Sequence, residues 1–343
     1  MGDQKEEEQK IDMWKLVFGF VEMAVVKCAI QLGIAETIES HGNPMTVSEL
    51  SSALGCDPSY LNRIMRFLAH HHIFKEMDTI PEGSKSYSQT TISRLLMRSH
   101  ENSIAPLILL ESSPVMLAPW QILSVRVLDK GPSPFEAANG KDLWSYAAAN
   151  PTHNQLLNDG MACVAKSALP AIIDGCLDVF NGIGTVVDVG GGNGTTLGKF
   201  VKACPWIKGI NFDLPHVLSS APKYDGVEHV GGDMFDTIPK ADATFLMSVL
   251  HDWGDEDCIR ILKNCREAVP EDKGKVIIVE AVIDKEKIND AGLILDMVMM
   301  AHTTTGRERS LEEWTYVLGE AGFNRHAVRS IAAVPSIIEA FPC

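Results

Sequence analysis

Apolar positions change their rhythm three times along the chain. Over residues 12–39 they are dense, with Met13, Trp14, Val17, Phe20, Val21, Ala24, Val25, Cys28, Ala29 and Leu32 at spacings that predict helices with more than one apolar face. One surface helix cannot bury so many against its own subunit, so a second partner is expected. Thr46 followed by Glu49 is a capping-box pattern. It predicts a short helix to Leu54, a second helix over 57–70, and short strands near Ile73 and Tyr87: a helix-turn-helix with a small β wing. Residues 100–180 read as helices broken at Pro106, Pro114, Pro119, the turn 131–134 and Pro151. From Thr185 onward β and α patterns alternate, with strands expected at 185–189, 209–213, 227–231, 243–249, 275–281, 326–331 and 335–340. Alternation of this kind predicts an α/β fold, Rossmann-like and doubly wound on a mostly parallel sheet. The expected division is an N-terminal helical, winged-helix domain over 1–155 and a sheet domain over 156–343, with a helix near 155–180 shared between them.

A chain of 343 residues accommodates two such domains, and its 45% hydrophobic and 22% charged residues are those of a globular protein. A net charge of −15 disfavours nucleic acid or an anionic membrane as partner. The wing motif is therefore expected to serve dimerisation and not DNA reading, since its second helix shows no row of arginine or lysine. Eight cysteines without a Cys-x-x-Cys pair suit free thiols in a reducing cytoplasm. Residues 1–10 are charged and do not read as a signal peptide, and Glu22 and Lys27 interrupt the first apolar stretch, so no membrane span is expected there. His70, His71 and His72 point in different directions on a helix and do not read as a metal site.

The candidate chemistry lies at strand ends. Val186-Val187-Asp188-Val189 runs into Gly190-Gly191-Gly192-Asn193-Gly194, then into a segment that can open a helix. A strand ending on a glycine turn before a helix builds a nucleotide crevice, because glycine lets the backbone approach a ligand closely. The dinucleotide fingerprint would need glycine at 195, where Thr195 stands. The spacing therefore points to S-adenosylmethionine and away from NAD. Asp213 ends the next expected strand, where a carboxylate can hold ribose hydroxyls, and Asp233 with Met234 ends the third, suited to an adenine edge and face. His251 follows the buried pattern 243–250, Glu280 follows 275–279, and Glu308 lies in Gly306-Arg307-Glu308-Arg309 before a Ser310…Glu313 capping pattern. Histidine is suited to general-base work, and a carboxylate beside it holds its tautomer and stabilises the imidazolium. The cleft motifs show no ligand-spaced cluster, so no metal is expected.

Five motifs together carry a family resemblance: Val-Asp-Val-Gly-Gly-Gly, Phe-Asp-Leu-Pro-His-Val at 212–217, Gly-Gly-Asp-Met-Phe at 231–235, Leu-His-Asp-Trp at 250–253 and Gly-Arg-Glu-Arg at 306–309. From about Trp14 to Phe341 the chain resembles the plant small-molecule O-methyltransferases that use S-adenosylmethionine, the family of the caffeic acid, flavonoid and benzylisoquinoline alkaloid enzymes. The resemblance implies a class I methyltransferase sheet behind a winged-helix dimerisation domain. It implies His251 as base, flanked by Glu280 and Glu308, and Gly190, Gly192, Asp213, Leu214, Asp233, Met234 and Met247 at the cofactor. It places Asp252, Met161, Trp120, Val298, Met299 and Thr303 around a phenolic acceptor, and implies a homodimer whose N-terminal helices intertwine. Leu117-Ala118-Pro119-Trp120 is closer to the alkaloid and flavonoid branch than to the lignin branch. Many members carry lysine four residues before the base, where this chain has Met247. Two other readings of the residues are a nicotinamide oxidoreductase, disfavoured by Thr195, and a non-catalytic winged-helix regulator, disfavoured by the intact His251, Glu280 and Glu308.

Overall fold

The computed structural model describes residues 13–78, 85–128, 131–219, 221–284 and 290–342. It divides into two compact units, Met1–Ser113 and Pro114–Cys343.

In the first unit, Gly33 at φ +69° ends the helix Phe20–Leu32 and opens Ile34–His41. Thr46 and Glu49 form the expected reciprocal cap of Val47–Leu54. Asp57 caps Pro58–His70 by accepting from the Ser59 and Tyr60 amides. The wing is a three-stranded antiparallel sheet, with Lys85–Ser88 between Met45–Thr46 and Lys75–Asp78. Its core gathers Ile30, Ile34, Leu50, Met65, Leu68, Phe74 and Tyr87. Within Phe20–Leu32 only Ala29 and Ile30 are buried, and Trp14, Leu16, Val17 and Phe20 stay exposed. The second helix does carry a short basic row: Arg63, Arg66 and His70 line a cleft of about 630 Å³ with Tyr60 and Phe67.

The second unit is built on seven strands: β1 Thr185–Val189, β2 Lys208–Asp213, β3 Val227–Gly231, β4 Ala243–Met247, β5 Lys275–Glu280, β6 Arg325–Ser330 and β7 Ser336–Phe341. Their order is β3-β2-β1-β4-β5-β7-β6, parallel except for β7, which runs antiparallel to both neighbours. Buried Val, Ile and Phe on both faces make β1, β4 and β5 near-continuous apolar runs, as central parallel strands require. One face packs on Cys258, Ile261, Leu262, Trp314 and Leu318, the other on Leu169, Ile172, Phe180, Leu197 and Phe200. The order reverses between β1 and β4, so a crevice opens at their carboxyl ends.

The unit boundary precedes the one expected at residue 155, because the helices after Pro114 belong with the sheet: Pro119–Ile122 and Pro134–Asn139 pack on Asp290–His302, and Pro151–Cys176 on Thr195–Ala203. By length and composition alone, residues 151–175 could cross a bilayer. In the fold this helix buries Leu157, Cys163, Ala168, Leu169 and Ile172 in protein.

Candidate active site

The turn after β4 is held from both sides. The strand expected to reach 249 ends at Met247, because Ser248 takes φ +53° and swings the chain into a short helical turn, Leu250–Asp252. That conformation is costly for serine and persists only where its surroundings fix it. Buried Glu280, at the end of β5, accepts the amides of Val249 and Leu250 at 2.8 Å each and that of His251 at 3.4 Å. From the other side, fully buried Arg309 donates to the carbonyls of Leu250 (3.0 Å) and Trp253 (2.7 Å) and pairs with Asp255 at 2.9 Å. The Arg307 amide donates to the His251 carbonyl at 2.8 Å. Gly306 permits this crossing, since a Cβ there would collide with that carbonyl.

The imidazole of His251 is 14% exposed. Its Nδ1 lies 2.8 Å from Glu308 Oε1 and 3.5 Å from Glu280 Oε2, while Nε2 lies 3.9 Å from Asp252 Oδ1. Glu308 is placed by its own amide, which donates to Asp296 at 3.0 Å. Nδ1–H is thus committed to a carboxylate, and Nε2 is the nitrogen that accepts once the ring is neutral. Burial opposes the imidazolium, but the fields of Glu280 and Asp252 and the bond to Glu308 outweigh it and push His251 up to about 10. Burial raises Asp252 to about 7, against the pull of His251 and with Glu280 and Glu308 adding to the rise. Contrary to the expectation that the cleft motifs hold no ligand-like cluster, one ligand atom each from His251, Glu280 and Glu308 lie within 4.8 Å of one another.

The glycine loop leaves β1 beside this turn. A Cβ on Gly190 would come 2.9 Å from the Val249 side chain, so the loop and the His251 turn are neighbours. Gly190, Gly192 and Gly194 all have positive φ, at +70°, +57° and +77°. Asp213 ends β2 with one oxygen accepting from Gly192 N (2.8 Å) and the other from Leu214 N (2.7 Å). Burial raises its carboxyl, partly offset by those two amides. Asp233 accepts from Phe235 N at 2.8 Å, and Asn264 holds the Met234 carbonyl at 2.8 Å. Met247 is half-buried at the end of β4. A glycine cradle with positive φ at three positions and an acid at the next strand end fit a ribose-bearing cofactor.

Of the expected acceptor residues, Trp120, Met299 and Thr303 come together around His302. The Trp120 ring meets His302 edge-on at 5.5 Å, and Thr303 donates to the Met299 carbonyl at 2.7 Å while accepting from Gly306 N at 2.9 Å. Val298 is half-buried on the same helix, and Met161 stands 41% exposed on Pro151–Cys176. Among the described residues no side-chain hydrogen bond or ring contact joins these two to the group. Buried His302, which bonds Met116 O at 3.1 Å, was not foreseen; nor was Arg309, Asp188 or Asn211. The Gly-Arg-Glu-Arg motif was the signal available for Arg309.

Fold and site together define a class I methyltransferase. Residues 120–324 match the O-methyltransferase domain and residues 14–99 the O-methyltransferase dimerisation domain. The chain is 51% identical to an acetylserotonin O-methyltransferase of Arabidopsis thaliana, covering 98% of this chain and 93% of that one. It is 44% identical to the (R,S)-reticuline 7-O-methyltransferase of Papaver somniferum, covering 99% of each. A methyltransferase of calicheamicin biosynthesis, solved with S-adenosylhomocysteine, superposes at TM-score 0.84 with 26% identity over 98% of both chains. Human N-acetylserotonin methyltransferase, solved with S-adenosylmethionine, shares the fold at TM-score 0.87 and 18% identity over 97% of both. The chain belongs to the family of S-adenosylmethionine-dependent O-methyltransferases.

Proposed function

We propose that this enzyme transfers the methyl of S-adenosylmethionine to a phenolic hydroxyl of a small aromatic metabolite of the alkaloid, flavonoid or phenylpropanoid kind, with His251 as general base. The observation that carries this reading is the His251–Glu308 pair, 2.8 Å apart, on a turn that abuts the glycine loop. Gly190, Gly192, Asp213, Leu214, Asp233, Met234 and Met247 would hold the cofactor, which supplies an electrophilic methyl on a sulfonium. Nε2 of His251 takes the phenolic proton as the oxygen attacks in line. Glu308, Glu280 and Asp252 stabilise the imidazolium that results. Raising the imidazole makes it a stronger base toward a weakly acidic phenol of pKa about 10. Trp120 and Met299, gathered beside Thr303 and His302, would supply the apolar, partly sulfur-bearing surface a flat ring requires, with Val298 and Met161 assigned to the acceptor by the family resemblance.

Catalysis on this reading needs no metal. Glu280 Oε1 accepts three backbone amides and Glu308 Oε1 sits at hydrogen-bond length from Nδ1, so these two oxygens are committed to protein partners. The working unit is a homodimer in a reducing cytoplasm, its apolar N-terminal helices covered by the partner. Methyl transfer to a panel of catechols, flavonoids, tetrahydroisoquinolines and hydroxyindoles, read by mass spectrometry with and without EDTA, tests the proposal. Product from at least one phenol, undiminished by chelation, is expected. No transfer to any phenol, or turnover lost to EDTA and restored by magnesium, would overturn it.

A further inference from the structure

We propose that Asp188 and Asn211 position the cofactor loop, and that Asp188 does so as a neutral carboxylic acid whose O–H holds the Asn211 amide, not as an anion facing the cofactor. The inference rests on reading the glycine loop as the S-adenosylmethionine cradle. Strand register lines up three side chains: Asp188 on β1 is opposite Asn211 on β2, which is opposite His229 on β3. Asp188 and Asn211 are buried, at 2% and 0% exposure.

The amide orientation follows from its partners. One Asn211 Nδ2 hydrogen goes to the Gly192 carbonyl at 2.9 Å, the other to His229 Nδ1 at 3.1 Å. His229 Nε2–H donates to Pro222 O at 2.9 Å, which leaves Nδ1 as the acceptor. Asn211 Oδ1 must then face the other way. A Cβ on Gly191 would overlap that oxygen and lie 2.7 Å from Asp188 Oδ2, so the two oxygens share one small space. Neither has a hydrogen-bond partner. Two acceptors facing one buried space repel, and each lost bond is costly there. Turning the amide over would only set its oxygen against the Gly192 carbonyl. A single proton on Asp188 satisfies both oxygens at once. Burial and the nearby Asp213 carboxylate raise Asp188 to about 7, in the direction this bond requires.

The consequence falls on Gly192. Its amide donates to Asp213 and its carbonyl accepts from Asn211, so both of its polar groups are pinned at φ +57°. Asp188 thus fixes, through Asn211, the bend that brings the loop over the ribose-binding acid.

Calorimetry with S-adenosylhomocysteine at about pH 6 and infrared spectra of the cofactor-free protein test this together. Asp188→Ala and Asn211→Leu should each weaken binding about tenfold, the worth of one buried hydrogen bond. Asp188→Asn, which keeps an N–H where the O–H was, should restore most of what Asp188→Ala loses. The wild type should show a carboxylic-acid C=O stretch that Asp188→Asn lacks, and circular dichroism should confirm that all variants fold. If Asp188→Asn binds as poorly as Asp188→Ala and no acid band disappears in Asp188→Asn, the residue acts as an anion and the proposal is wrong. If Asp188→Ala does not fold, the infrared difference between wild type and the isosteric Asp188→Asn decides it: an acid band present only in the wild type supports the neutral acid, and no such band overturns it. Failure of the wild type to bind S-adenosylhomocysteine would instead remove the cofactor reading and the positioning role with it.

Discussion

At the scale of single residues, the cluster around His251 makes a stronger base than a free imidazole. Three acids surround one ring, and the two nearest approach its Nδ1 side at 2.8 and 3.5 Å. The free enzyme therefore holds its imidazolium proton through neutrality, and on the proposed mechanism the pair of base and phenol must first lose one proton. kcat/KM should rise with pH across the neutral range. Glu308→Gln removes one negative charge, lowers the imidazolium pKa, and should move the acid limb of that profile down by about one pH unit or more. An unmoved limb would show that Glu308 does not act on the base. His251, Glu280 and Glu308 were legible in the sequence because each closes an apolar strand pattern or a distinctive loop motif. Asp188 and Asn211 were not singled out, because their role depends on strand register, which pairs residues 23 positions apart only after folding.

At the scale of elements, the His251 turn is a conformation imposed by its neighbours. Apolar residues continue to Leu250, so the pattern alone extends β4 by two residues; the positive φ of Ser248 and the carboxylate of Glu280 end it earlier. Arg309 reaches across 59 residues to the Leu250 carbonyl, a contact no local pattern encodes. Arg309→Met should take the buried guanidinium from the Leu250 and Trp253 carbonyls and leave Asp255 only its pair with Arg307. A loss of about 3–5 kcal/mol in denaturant unfolding is expected, together with a fall in kcat larger than any change in cofactor affinity. A stability change under about 1 kcal/mol would mean that the turn holds itself. The remaining strands, both capping boxes and the helix after Asp57 follow their sequence patterns, since periodicity and caps are local signals.

At the scale of the whole molecule, the apolar surplus at the N-terminus is the feature the described chain leaves uncovered. Trp14 is 66% exposed, Leu16 76% and Phe20 62%, and the matched dimerisation domain spans this stretch. A patch of this kind marks a protein interface. Removing residues 1–35 should produce aggregation or an inactive monomer, read by light scattering at micromolar concentration. A soluble, fully active monomer would contradict the dimer. The alternating β and α pattern revealed the class of fold directly. The division at Ser113 was hidden, because helices between 114 and 176 look alike whichever unit they join.

The most direct test of the central claim is the turnover of His251→Ala on a series of phenolic acceptors of graded acidity. The account predicts a loss of about 100-fold or more for a phenol of pKa about 10 at pH 7, with S-adenosylhomocysteine affinity little changed. The loss should shrink as the phenol becomes more acidic, and again as the pH approaches its pKa, because the phenolate then forms without help. Near-normal turnover of His251→Ala on the weakly acidic phenol, or a loss of the same size across the whole series, would contradict it.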